Sequence, residues 1–158
     1  MNRLTFIKKA SLISTLPFIS SAYSLPNFHK YKIGLQLFSV RDAMEKNPVN
    51  TLKSLKKMGY QDFETYGYDT KRKKYYGFSP IEFKTILNDL GLTTSSGHYG
   101  INGLMESSDY KLFKYLDSCI NASLTLGDKY IVYPVLNSKY HSYEGYKLLV
   151  KKLNQMGE

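Results

Sequence analysis

The feature that most constrains this chain is a punctuation pattern repeated at an interval of 32 residues. Asn47–Pro48 and Ser79–Pro80 stand 32 residues apart, and so do Gly59 and Gly91. Each set brackets one helix. The Asn or Ser side chain accepts from a free first-turn amide, and proline suits the first helical position because its missing N–H costs nothing there. Glycine adopts the left-handed conformation that ends the helix. Glu82, three residues after Ser79, completes a capping box. Between these limits Leu52, Leu55 and Met58 recur at helical spacing, as do Phe83, Ile86, Leu87 and Leu90.

A strand-like run precedes each helix: KIGLQLF (32–38) and QDFETY (61–66). The plan continues with LTTSSGH (92–98) and a helix from about Ser108 to Gly127. KYIVYPV (129–135) and a helix from about Tyr143 to the last residue follow. A strand–helix repeat forces parallel strands, because each helix must carry the chain back across the sheet. Four units fit either a small open sheet covered on both faces or the first half of an eight-unit barrel. The strand ends favour the barrel. They carry Ser39 and Arg41, Glu64 and Tyr66, Ser96 and His98, and Tyr133. All are hydrogen-bonding side chains on the one edge where barrel active sites assemble. The expected fold is therefore α/β: the N-terminal four strand–helix units of a (β/α)8 TIM barrel, with parallel strands and the barrel incomplete. Gln36 alternates with Ile33, Leu35 and Leu37, which points it into the barrel, where an amide persists if it meets a partner or a substrate hydroxyl. Arg41 and Asp42 are expected in the rim loop.

Residues 1–22 read differently. Arg3, Lys8 and Lys9 precede an apolar stretch from Ala10 to Ala22, shorter than the roughly 20 apolar residues needed to span a bilayer. A basic start, a short apolar middle and small residues at Ser20 and Ala22 predict an export signal, cleaved after Ala22 or, as second choice, after Ser24. This places the protein in the periplasm or outside the cell, with a linker over 23–31, a partial barrel domain over 32–158 and no membrane-spanning helix after cleavage. Removing residues 1–22 lowers the net charge from +9 to +6. Part of the excess is the run KRKK at 71–74, expected as a solvated loop. No zinc-finger spacing, RNA-recognition motif or basic helix accompanies it, so no nucleic-acid partner is expected. Cys119, the single cysteine, excludes an intramolecular disulfide. With Leu116, Ile120 and Leu124 it predicts a buried helix face rather than a catalytic thiol. His29 and His141 are expected on surface loops.

The motifs IGLQLFSVRDAM…NPVNTLKSLKKMGY, FETYGY, GFSPIEFKTILNDLGL, SSGHYG and GDKYIVYP resemble the exported sugar phosphate isomerase/epimerase family with a xylose isomerase-like barrel. The resemblance runs from about Lys32 to Glu158. It implies a divalent metal, Mn²⁺, Mg²⁺, Co²⁺ or Zn²⁺, polarising sugar oxygens while carboxylates move a proton beside the carbonyl. It implies Glu64 and His98 as partners of sugar hydroxyls, with Gln36 and Arg41 lining the floor and rim. The family's metal ligands come from strands five to eight, so none is assigned here, and no catalytic residue either. The implied ligand is a carbohydrate or sugar phosphate. Three readings follow: the N-terminal half of such an enzyme, inactive alone; a non-catalytic carbohydrate binder, or a homodimer closing the barrel; and a basic accessory protein acting through KRKK.

Overall fold

The computed structural model describes residues 31–157. The expected export signal, His29 and all but the last residue of the expected linker lie outside the described residues.

Four strands form one parallel sheet in the order β1-β2-β3-β4: β1 (Gly34–Gln36), β2 (Asp62–Thr65), β3 (Thr93–His98) and β4 (Tyr130–Val132). The connections are α1 (Arg41–Lys46) with α2 (Pro48–Lys57), then α3 (Pro80–Asp89) and α4 (Asp109–Leu126); α5 (Tyr143–Gly157) follows β4. This is the sequential, all-parallel order expected of consecutive barrel units.

The punctuation acts as read. Asn47 accepts from the Asn50 amide at 3.1 Å, and Ser79 and Glu82 form the reciprocal capping box. Gly59 and Gly91 both take positive φ, as does Gly127 after α4. Phe83 and Leu87 of α3 and Leu52 and Leu55 of α2 are buried against Phe63 of β2. Each such side chain contributes about 1.5–3 kcal/mol of transfer free energy. In α4 the buried face is Leu112, Leu116, Cys119, Ala122, Ser123 and Leu126.

Five expectations need correction. The fourth strand covers only Tyr130–Val132 of the expected 129–135. The first strand is shorter than 32–38: the chain leaves the sheet after Gln36 in a 3₁₀ turn, Leu37–Val40. Arg41 and Asp42 begin a helix instead of lying in a rim loop, because Met44 is fully buried and its neighbours favour helix. Met58, the C-cap of α2, is 73% exposed, because the apolar stripe ends one turn earlier at Leu55. Leu124 is 66% exposed, five residues past Cys119 and turned off its face.

The sheet carries an irregularity between β2 and β3. Phe63 is in register with Thr94 but Glu64 with Ser96, so Ser95 is the extra residue of a bulge. Thr94 thus stands beside the buried Phe63, while Ser96 stands beside Glu64. Next to it, Gly97 permits a close approach: a Cβ there would lie 2.6 Å from Thr65 Oγ1 and 2.9 Å from the Tyr99 ring.

The segment after β2 is rich in tyrosine. Tyr68, Tyr75 and Tyr76 pack with Phe83 and Tyr99, and the hydroxyls of Tyr75 and Tyr99 share a hydrogen bond. Burial raises all three of Tyr75, Tyr76 and Tyr99, Tyr99 to about 12, so they act as neutral hydrogen-bonding core.

Candidate functional site

Gln36 and His98 end β1 and β3, Glu64 is the next-to-last residue of β2 between them, and register brings the three together. Gln36 is in register with Glu64, and two residues beyond Ser96, Glu64's partner on β3, stands His98. The Gln36 amide donates to Glu64 Oε1 at 2.9 Å, and His98 Nε2 lies 2.7 Å from the same oxygen. Gln36 Nε2 in turn lies 2.8 Å from His98 Nε2 and 3.2 Å from Nδ1. The second carboxylate oxygen, Oε2, accepts from the Ser96 hydroxyl at 2.7 Å. Three donors, one from β1 and two from β3, thus converge on one carboxylate of β2, whose side chain remains 24% exposed, beside an imidazole 19% exposed.

The chemistry follows from the partners. A carboxylate accepts only, so Nε2 of His98 carries the proton in that contact, and Nδ1 keeps a lone pair for the Gln36 amide or a ligand hydroxyl. Glu64 Oε1 already accepts from two donors, whereas Oε2 accepts from Ser96 alone and keeps a second lone pair for an incoming donor. At the opposite end of the strands the Lys32 ammonium donates to Thr93 Oγ1 at 3.0 Å, and Thr93 hydrogen-bonds Asp62.

Arg41 does not join the cluster through any of its contacts. Its guanidinium lies over the Phe38 ring at 4.9 Å and 3.6 Å from Asp42, on a half-exposed side chain. Ser96 is the residue that sequence reading did not place in the site, although it was recognised as a strand end. Its pairing with Glu64 depends on the bulge at Ser95, which no hydrophobic pattern announces. His141 lies exposed on a loop, as expected, stacked on Tyr146. KRKK forms an exposed turn, with Asp69 accepting from the Lys71 and Arg72 amides.

Among the described residues, no three His, Cys, Asp or Glu side chains cluster to hold a metal ion. Glu64 and His98 supply two donors turned toward each other, short of the four of a closed site. Among the described residues no helix is long and apolar enough to cross a membrane.

Two solved structures, both of proteins from Parabacteroides distasonis described as sugar phosphate isomerase/epimerase, superimpose on this architecture. The first shares 26% identity over 80% of this chain with a TM-score of 0.68. In fold and sequence, this chain is similar to the sugar phosphate isomerases/epimerases. The second, at 24% identity over 79% of the chain and a TM-score of 0.66, supports the fold. The chain spans about half the length of these relatives, 46% and 48%. No family model and no curated protein matches it.

Proposed function

We propose that this chain forms the substrate-holding wall of a sugar isomerase/epimerase-type site, with a sugar or sugar phosphate as ligand. The observation that carries the reading is the convergence of Gln36, His98 and Ser96 on Glu64 at the C-terminal ends of three parallel strands. Glu64 and His98 Nδ1 accept hydroxyl protons of the ligand, and Gln36 and Ser96 fix the carboxylate's orientation. Isomerisation or epimerisation needs a proton moved next to a carbonyl, work for which a held carboxylate and imidazole are suited. For the complete site a divalent metal, Mn²⁺, Mg²⁺, Co²⁺ or Zn²⁺, supplies Lewis acidity. The described residues do not by themselves hold one, and no step is assigned through it. Arg41 is proposed only as an outer contact for a phosphate. The signal-like residues 1–22 support export.

A second reading, self-association that closes the barrel, is favoured by the sheet itself. Among the described strands β1 and β4 each leave one edge unpaired, and Ile33, Tyr130 and Ile131 are exposed there. Sedimentation over a concentration series separates monomer from dimer.

The test of the first reading is titration of aldoses, ketoses and their phosphates into the full chain and into Glu64→Gln and His98→Asn. Expected is saturable binding, weakened at least tenfold in both variants, with shifts of the His98 ring signals on ligand addition. Binding unchanged in both variants refutes it.

A further inference from the structure

We propose that a basic groove separate from the Glu64 site binds an anionic carbohydrate chain through its sulfate or phosphate esters. A groove of about 760 Å³ opens between α4, the start of α3 and the segment after β2, and neither Gln36, Glu64 nor His98 lines it. Two lysines of the KRKK turn, Lys71 and Lys73, meet Lys111 and Lys114 of α4 in its wall. The two pairs lie 38 residues apart at nearest approach in sequence, from Lys73 to Lys111. Asp117 is the only carboxylate among its lining residues.

The four ammonium groups, like those of Lys53 and Lys57 on α2, have no hydrogen-bond or ion-pair partner among the described residues, whereas some basic residues do. Arg72 holds Asp69, Lys139 holds Glu106, Lys147 holds Glu144 and Lys152 holds Asp109. Lys73 also takes a left-handed backbone conformation, φ 55°, within a turn closed by the Asp69–Lys74 bridge. For a residue with a side chain this conformation is disfavoured, so the turn that presents Lys73 is held by its surroundings.

The chemistry of the groove selects among polyanions. Along α4, Lys111, Lys114, Ser118 and Asn121 follow at helical spacing and all line the groove, a polar stripe beside the buried one. Charged and hydroxyl- or amide-bearing groups in one row suit a ligand that carries anionic esters on a polyhydroxylated chain. A nucleic-acid strand calls for free aromatic faces on which bases stack. Of the two lining tyrosines, Tyr68 is packed against Tyr75 at 4.7 Å with its hydroxyl 3.4 Å from that of Ser118, and Tyr115 is half-buried against the cluster of Leu112 and Leu116. The carbohydrate is therefore the ligand to which the groove is suited.

The proposal is independent of the sugar reading at the strand ends. It is tested on the full chain by calorimetric titration with a sulfated hexasaccharide at two salt concentrations. The variants are K71Q/K73Q and K111Q/K114Q, with K53Q/K57Q on α2 as a control of equal charge change. All six lysines are on or near the surface, and circular dichroism checks that each variant folds. Expected is salt-sensitive binding weakened about tenfold by either groove pair and less than twofold by the control. Absent binding, or a control as damaging as the groove pairs, overturns the proposal. Tighter binding of an oligothymidylate of equal charge overturns the carbohydrate assignment. Loss of sugar binding in Glu64→Gln with hexasaccharide binding intact leaves the groove standing.

Discussion

Asp128, just before β4, gives the sharpest test of the packing. Its Oδ2 accepts from the Ser123 hydroxyl at 3.0 Å, while its Oδ1 and the nearby Thr94 Oγ1 are buried without a hydrogen bond of good geometry. Burial raises the carboxyl above its ordinary pKa; Thr94, Ser123 and Lys84 pull it only partly back, and Asp62 adds to the rise. Asp128→Asn removes the charge, keeps an acceptor for Ser123 and turns an amide donor toward Thr94. One added neutral hydrogen bond is worth about 1 kcal/mol, and relief of the poorly satisfied carboxylate brings the expected gain to about 1–2 kcal/mol at pH 8. The sign with pH follows from linkage. The folded state binds the Asp128 proton more tightly than the unfolded chain, so this group's contribution falls as pH rises from the unfolded to the folded pKa. Above that window the penalty is constant; below it the penalty is gone. Urea denaturation of wild type and variant at pH 8 and at decreasing pH reads the difference directly. The variant's advantage should be full at pH 8 and shrink on acidification. A variant no more stable than wild type at pH 8, or an advantage independent of pH, refutes the argument.

Two further outcomes follow from particular contacts. Gly97→Ala drives a methyl to 2.6 Å from Thr65 Oγ1 and against Tyr99, and should cost about 1–3 kcal/mol by denaturant titration while weakening sugar binding through the displaced His98. The Asp109 carboxyl is held below its usual range by the Lys152 ammonium 2.6 Å away, so its contribution exists above the unfolded carboxylate pKa and disappears as pH falls through the folded one. Asp109→Asn should therefore lower the thermal midpoint at pH 7, where the 8%-exposed Lys152 loses its counter-ion, and match wild type in strong acid.

The parts of this fold that local chemistry dictates were legible in the sequence. Asn47, Ser79 and Glu82 cap through atoms within three residues of themselves, and Gly59 and Gly91 respond to backbone sterics alone. Gln36, Glu64 and His98 were named together because a period-two strand and a shared edge suffice to group strand ends. Arg41, grouped with them from its place just after the first strand, stands outside the cluster. Its place depends on where β1 stops, and the 3₁₀ turn at Leu37–Val40 and burial of Met44 are tertiary decisions. Ser96 failed for the complementary reason: strand periodicity assumes an unbroken register, and the extra residue at Ser95 breaks it. The fifteen tyrosines had no reading from composition, and several prove to fill the segment between β2 and α3.

The buried Cys119 gives this protein a clock. It is the single cysteine in the sequence, fully shielded on α4, with its thiol raised to about 11 by burial despite the Tyr115 hydroxyl nearby. A thiol reagent reacts with the thiolate, and therefore only with molecules in which α4 has lifted from the sheet. The slow appearance of label in native buffer then counts those opening events one molecule at a time. A ligand that tightens the α4 face slows the count, and one that binds only at the strand ends slows it no more than the whole fold is stabilised.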